Sequence, residues 1–146
     1  YSLVKSPIKD LSELALECLR KLTFPAGNEE FFEKLDDDFY PEMINLLISP
    51  KYDIRESVLE ILFCVSDQMS SKVKLGKSKY WIERLIGLLC INSYDNKIAK
   101  YSACILSNLA VIPFNQKLIM PFEEELFLAS CVDESLTKTL MGIISN

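Results

Sequence analysis

The chain has 146 residues, 49% apolar and 25% charged, with 16 Lys or Arg against 21 Asp or Glu and a formal net charge of −5. That composition fits one ordinary domain with a hydrophobic core and excludes compositional disorder. Histidine is absent, which removes the imidazole base of Ser and Cys nucleophiles and the His ligands of zinc sites, and the acidic balance argues against a sequence-independent grip on nucleic acid.

Apolar residues recur at helical spacing almost throughout. Leu11, Leu14, Ala15, Cys18, Leu19 and Leu22 make one helix face, opened by Ser6-Pro7 and closed by Phe24-Pro25-Ala26-Gly27. Asn28 can cap a short helix with Phe31, Phe32 and Leu35, interrupted by Asp36-Asp37-Asp38. Tyr40-Pro41 opens a helix holding Met43, Ile44, Leu46 and Leu47, which stops at Ser49-Pro50 because proline disfavours helix in the residue before it. Asp53 and Glu56 are spaced as a capping-box pair, ahead of a helix with Ile54, Val58, Ile61, Leu62 and Val65. Ser70 to Lys79 reads as a polar, lysine-rich connector containing Gly76. Tyr80 to Cys90 is predicted helical, with Trp81, Leu85, Leu88 and Leu89 facing the core. A further helix runs from Asp95 to Ala110 and breaks near Pro113. A short one spans Asn115 to Met120 and ends at Pro121; Glu123–Cys131 and Asp133–Ile144 complete the series. No stretch alternates as a strand would, so the predicted class is all-α.

The five cysteines, Cys18, Cys64, Cys90, Cys104 and Cys131, include no C-x-x-C pair. They read as free, buried thiols in a reducing compartment. No apolar run reaches the roughly 18–20 residues needed to span a bilayer. The chain starts at Tyr1 without a signal peptide, so residues 1–146 are expected to be a single intracellular domain excised from a longer protein.

A repeat runs through the chain. The segment Leu11–Thr23 aligns with Ile54–Ser66 at an offset of 43 residues, with Glu13 over Glu56 and Glu17 over Glu60, and Ile98–Ala110 follows at an offset of 44. The preceding segments Met43–Ile48 and Leu85–Cys90 match at an offset of 42, and each leads to a Tyr-Asp loop, at Tyr52-Asp53 and Tyr94-Asp95. Helices only, at this period, are the mark of armadillo and HEAT repeats. The predicted architecture is a right-handed armadillo/HEAT-like solenoid of about three repeats plus a shorter C-terminal cap. Its stacked units would leave an extended concave groove suited to binding.

In peptide-binding armadillo proteins such as the nuclear import adaptors, the third helix of successive repeats presents an Asn with a Trp one turn earlier. The aligned Asn positions here are Lys21, Cys64 and Asn108, and the Trp positions are Glu17, Glu60 and Cys104. Only Asn108 matches. These six residues are the candidate partner-binding groove, in which Glu17 and Glu60 either favour a basic partner or are ordinary solvated charges. Glu29, Glu30, Glu33 and Asp36–Asp38 form an acidic cluster without calcium-loop spacing. Glu123–Glu125 suit a helix start. Lys72, Lys74, Lys77 and Lys79 read as a solubilising loop or a local phosphate contact, and Gly76-Lys77-Ser78 makes no phosphate loop. Phe24, Phe31, Phe32, Phe39, Tyr40 and Trp81 are expected mainly in the core.

Leu106-Ser107-Asn108-Leu109-Ala110, then Phe122-Glu123-Glu124-Glu125-Leu126, then a closing apolar helix, resembles the C-terminal armadillo-like region of the ARID-bearing subunit of SWI/SNF chromatin remodellers. The resemblance is best over Ile98–Asn146. It implies a nuclear, non-enzymatic scaffold that joins the protein subunits of a remodelling complex. On this reading the domain has no catalytic residue and no cofactor or metal, and makes no direct contact with nucleic acid, membrane or small molecule. The alternative is a cytoplasmic or signalling armadillo module that binds a basic linear peptide in its groove.

Overall fold

The computed structural model describes residues 37–91 and 96–145, together with Leu16 and Lys34. The predicted helices before Phe39 lie outside these residues, apart from Leu16, which is helical and buried. The fold is all-α, and no strand occurs among the described residues.

Helix α1 (Phe39–Leu46) carries Pro41 in its first turn, where a missing N–H costs no hydrogen bond. Phe39, Tyr40, Met43 and Ile44 are buried, with the two rings edge-on at 5.2 Å. Helix α2 (Tyr52–Val65) starts one residue before Asp53, and its N-terminus has no side-chain cap. The expected Asp53/Glu56 box is therefore not formed: Asp53 lies inside the first turn, and the Glu56 carboxylate is drawn to Lys97 instead. The turn ahead of α2 is closed by Arg55, whose Nη1 donates to the Ser49 carbonyl at 2.7 Å.

The predicted polar connector is a helix, α3 (Met69–Gly76). Lys72 and Lys74 lie within it and Lys77 and Lys79 follow it, while Ser71, Leu75 and Gly76 form a narrow buried edge. The Ser71 hydroxyl meets the buried Tyr40 hydroxyl at 2.8 Å. At the end of α3, the Gly76 carbonyl accepts the Trp81 indole N–H at 3.1 Å. Tyr80 precedes helix α4 (Trp81–Ile91) in a left-handed conformation, φ 65°, which L-residues adopt at a cost.

Helix α5 (Asn96–Leu109) follows. The predicted break at Pro113 is the start of α6 (Pro113–Ile119). The α-helix ends at Ile119, close to the expected stop at Pro121, but the helical path continues through the proline. Pro121 sits in the first turn of a 3₁₀ segment, Met120–Phe122, that runs straight on from α6; there proline loses no intrahelical donor. Helix α7 (Glu123–Val132) holds Glu123–Glu125 in its first turn, where acids complement the helix dipole. Helix α8 (Glu134–Ser145) is preceded by Asp133, whose carboxylate accepts from the Ser135 backbone N–H at 2.9 Å and its hydroxyl at 2.7 Å.

Besides the contacts between successive helices, helices three apart in the chain pack together. Helix α1 contacts α4, and α4 contacts α7; α2 contacts α5, and α5 contacts α8; α3 contacts α6. The buried positions repeat with the same period: Ile54, Val58, Leu59, Ile61, Leu62 and Val65 on α2 align with Ile98, Ser102, Ala103, Ile105, Leu106 and Leu109 on α5, all buried. Leu16 falls in the Leu59/Ala103 column and is buried as well.

Contrary to the expected burial, none of the four described cysteines is fully buried, and two depart furthest. Cys64 and Cys104 are half-buried, whereas Cys90 and Cys131 are exposed. On α4 the buried Leu85, Leu88 and Leu89 define an inward stripe that leaves position 90 outside; on α7 Leu126, Ala129 and Ser130 do the same for position 131.

Candidate functional site

The predicted groove residues fall on two adjacent helices. Glu17 and Lys21 lie outside the described residues. Glu60 and Cys64 are one turn apart on α2, Cys104 and Asn108 one turn apart on α5, and the two helices pack side by side. The structure thus brings four of the six into one region, although each has a distinct role there.

Glu60 is 5% exposed, so it is not a solvated helix charge. Lys97 Nζ lies 3.5 Å from Glu60 Oε1 and also pairs with Glu56; the Tyr101 hydroxyl donates to Glu60 Oε1 at 3.5 Å. One ammonium thus bridges two glutamates one turn apart on α2, across the seam with α5. Asn108 Nδ2 donates to Ser66 Oγ at 3.0 Å, and Ser66 in turn donates to the Phe63 carbonyl. That amide ties the C-terminal ends of the two helices together. Phe63 and Tyr101 stack edge-on at 5.6 Å, and with Lys97, Lys100 and Cys104 they line a shallow cleft of about 250 Å³.

The electrostatics are those of a held seam. Hydrogen bonding to Glu56, and the nearby charges of Glu56 and Glu60, push the Lys97 ammonium above its ordinary pKa. Burial, helped by Glu60, pushes the Tyr101 phenol up. Burial also raises the Cys104 thiol against the opposing pull of Lys100; Cys90 is exposed as a residue, but partial cover of its thiol raises it as well, and Glu125 adds to the effect. Both thiols therefore stay protonated near neutrality, the unreactive state of a cysteine. Among the described residues, no cluster of Cys, Asp and Glu is arranged to hold a metal ion.

A folded-state pKa above the unfolded value means that the folded protein binds the proton more tightly. The stability contributed by Lys97 and Tyr101 is complete below their ordinary values, 10.5 and 10.0. It is lost as pH rises through the raised ones. The α2–α5 seam is accordingly expected to weaken above about pH 10. Melting temperatures measured from about pH 8 to about pH 11 should fall steeply at the alkaline end for wild type and less steeply for Tyr101→Phe; equal slopes would show that Tyr101 carries none of the effect.

Lys97, Tyr101 and Ser66 were missed by the groove alignment, because the aligned columns followed one face of a repeat and these residues bridge two. The 41-residue spacing of Tyr101 from Glu60, and of Lys97 from Glu56, is close to the repeat period and was the available signal. No helix among the described residues is long and apolar enough to cross a membrane. The chain matches no protein-family model and no curated protein.

Proposed function

We propose that this chain is a right-handed armadillo-like solenoid acting as a non-catalytic protein–protein scaffold. The observation that carries the reading is the one-period stacking of like helix on like helix, α1–α4–α7, α2–α5–α8 and α3–α6. Side-chain bonds between units keep the same interval: Tyr101 to Glu60 spans 41 residues, Asn108 to Ser66 spans 42, and Asn115 to Lys72 spans 43. A nearest-neighbour array of this kind presents long continuous surfaces for partners. The protonated thiols and the absence of histidine favour binding over catalysis.

Within that class we assign the scaffold to the nuclear assembly core of a SWI/SNF-type remodeller. The support is the resemblance of Leu106–Ala110, at the end of α5, and Phe122–Leu126, entering α7, ahead of the closing α8. The basic-peptide alternative has less behind it, since Glu60 already serves Lys97 and Tyr101. Affinity purification of the tagged protein from nuclear extract, with and without residues 39–145, tests the assignment. Remodeller subunits should be recovered with the intact chain and lost with the deletion; equal recovery from both would refute it.

A further inference from the structure

A cleft of about 550 Å³ lies between the α1–α2 turn and α4. Two guanidiniums, those of Arg55 and Arg84, line it. Both are held from behind by neutral acceptors. Arg55 Nη1 donates to the Ser49 carbonyl, while Arg84 Nη1 donates to the Ile44 carbonyl at 3.1 Å and to Asn45 Oδ1 at 2.9 Å. Each also sits over a tyrosine face, Arg55 over Tyr52 at 5.9 Å and Arg84 over Tyr80 at 5.5 Å. Among the described residues no carboxylate forms an ion pair with either arginine. Two oriented cations therefore keep their charge uncompensated in a chain whose net charge is −5.

The rest of the cleft is largely apolar. Leu47 and Leu88 are buried beneath it, and Ile48 and Tyr80 stand exposed at its rim, 67% and 59% accessible. Glu83 is the one acidic residue in the lining. Gly87 faces open space, since a Cβ placed there would meet no atom within 4 Å.

We propose that this cleft binds an acidic linear peptide of a protein partner, with a carboxylate on Arg55 and Arg84 and an apolar side chain against Ile48, Tyr80 and Leu88. Arginine's planar fork suits carboxylates. A peptide fits better than a nucleic acid, because the apolar walls suit an apolar side chain and offer a phosphate backbone nothing, and two arginines are too few to track a polyanion. The proposal rests on the scaffold reading only in taking the occupant to be a protein segment, and it supplies the partner chemistry which that reading leaves open.

The test is fluorescence polarisation of the full chain against a labelled peptide of about ten residues alternating Asp and Leu, with a Lys-for-Asp peptide and a single-stranded oligonucleotide as comparators. The acidic peptide should bind saturably and weaken with added salt. Gly87→Leu, which fills the cleft from an open position, should reduce affinity at least about tenfold, and so should Arg55→Gln. Circular-dichroism melting checks that each variant is folded; should one fail to fold, the other decides. Equal binding of the lysine peptide or the oligonucleotide, no saturable binding, or indifference to the folded cleft variants overturns the proposal. Loss of peptide binding with remodeller recovery intact would sink this inference alone and leave the scaffold assignment standing.

Discussion

Gly76→Ala is expected to destabilise the protein by about 2–4 kcal/mol, far more than a glycine at a helix end usually controls. A Cβ at position 76 would lie 1.8 Å from Asn115 Oδ1, 2.6 Å from its Cγ and 2.9 Å from its Nδ2. Asn115 has no room to retreat. It is 1% exposed, and its amide donates to the Lys72 carbonyl at 3.1 Å and the Leu109 carbonyl at 3.0 Å. Pushing it aside strips two hydrogen bonds from a buried site, each costing about 1–3 kcal/mol when a partner is left unmade. Asn115→Ala alone should cost about 2 kcal/mol by the same reasoning. In that background the clash is gone, so Gly76→Ala should become neutral or stabilising by up to about 1 kcal/mol, alanine being the better helix former. Urea denaturation of the four proteins forms a double-mutant cycle. Simple additivity of the two substitutions would show that Gly76 and Asn115 are not coupled, and the α3–α6 contact would then need another explanation.

Glu60→Lys is expected to cost about 3–5 kcal/mol, as uncompensated charges in a buried setting do. The substitution would place a second ammonium against Lys97, where the carboxylate stood, and remove the acceptor of the Tyr101 hydroxyl. Glu60→Gln should be mild, about 1 kcal/mol or less, because the amide oxygen can still accept from Tyr101 and the half-exposed Lys97 keeps Glu56. Pairing Glu60→Lys with Lys97→Glu should recover only part of the loss, since the new carboxylate would then face Glu56. Denaturant midpoints for the three variants check the order. If Glu60→Lys proves as mild as Glu60→Gln, the carboxylate is not buried as described. Charge reversal at Glu60 therefore probes the α2–α5 seam before it probes any ligand in the groove.

Much of the fold was legible before any coordinate. The stripes on α2 and α5 could be read from Ile54–Val65 and Ile98–Leu109, because a 3.6-residue period marks which face must leave water. Proline placed the start of α1 to within a residue or two, whereas Pro113, read as a break, opens α6 two residues before the expected Asn115. Errors arose where that signal is weak. Helix α3 reads as a polar connector because its buried edge, Ser71, Leu75 and Gly76, includes a single large apolar side chain and so carries almost no apolar pattern. Pro121 marks the end of α6 to within two residues, but its place in a 3₁₀ turn depends on how α6 runs into α7. The capping pair Asp53/Glu56 had the right spacing, yet Lys97 on the neighbouring helix offered Glu56 a stronger partner.

The candidate groove divides along the same line. Alignment of the repeats was enough to put Glu60, Cys64, Cys104 and Asn108 on corresponding faces, since equal spacing on equal helices is a property of the chain alone. It could not say that Glu60 is interior and paired with Lys97 and Tyr101, nor that Asn108 holds Ser66. Burial of a residue at the edge of an apolar stripe is decided by what the adjacent helix brings to it. The cleft holding Arg55 and Arg84 is a still clearer case: its two arginines are 29 positions apart and belong to different units. The sequence by itself determined the helical class and the inward faces of the helices. Only the tertiary structure decided which polar groups are consumed between units, as at Glu60 and Asn115, and which face open space, as at the arginine cleft, because that depends on contacts between helices that the local pattern does not encode.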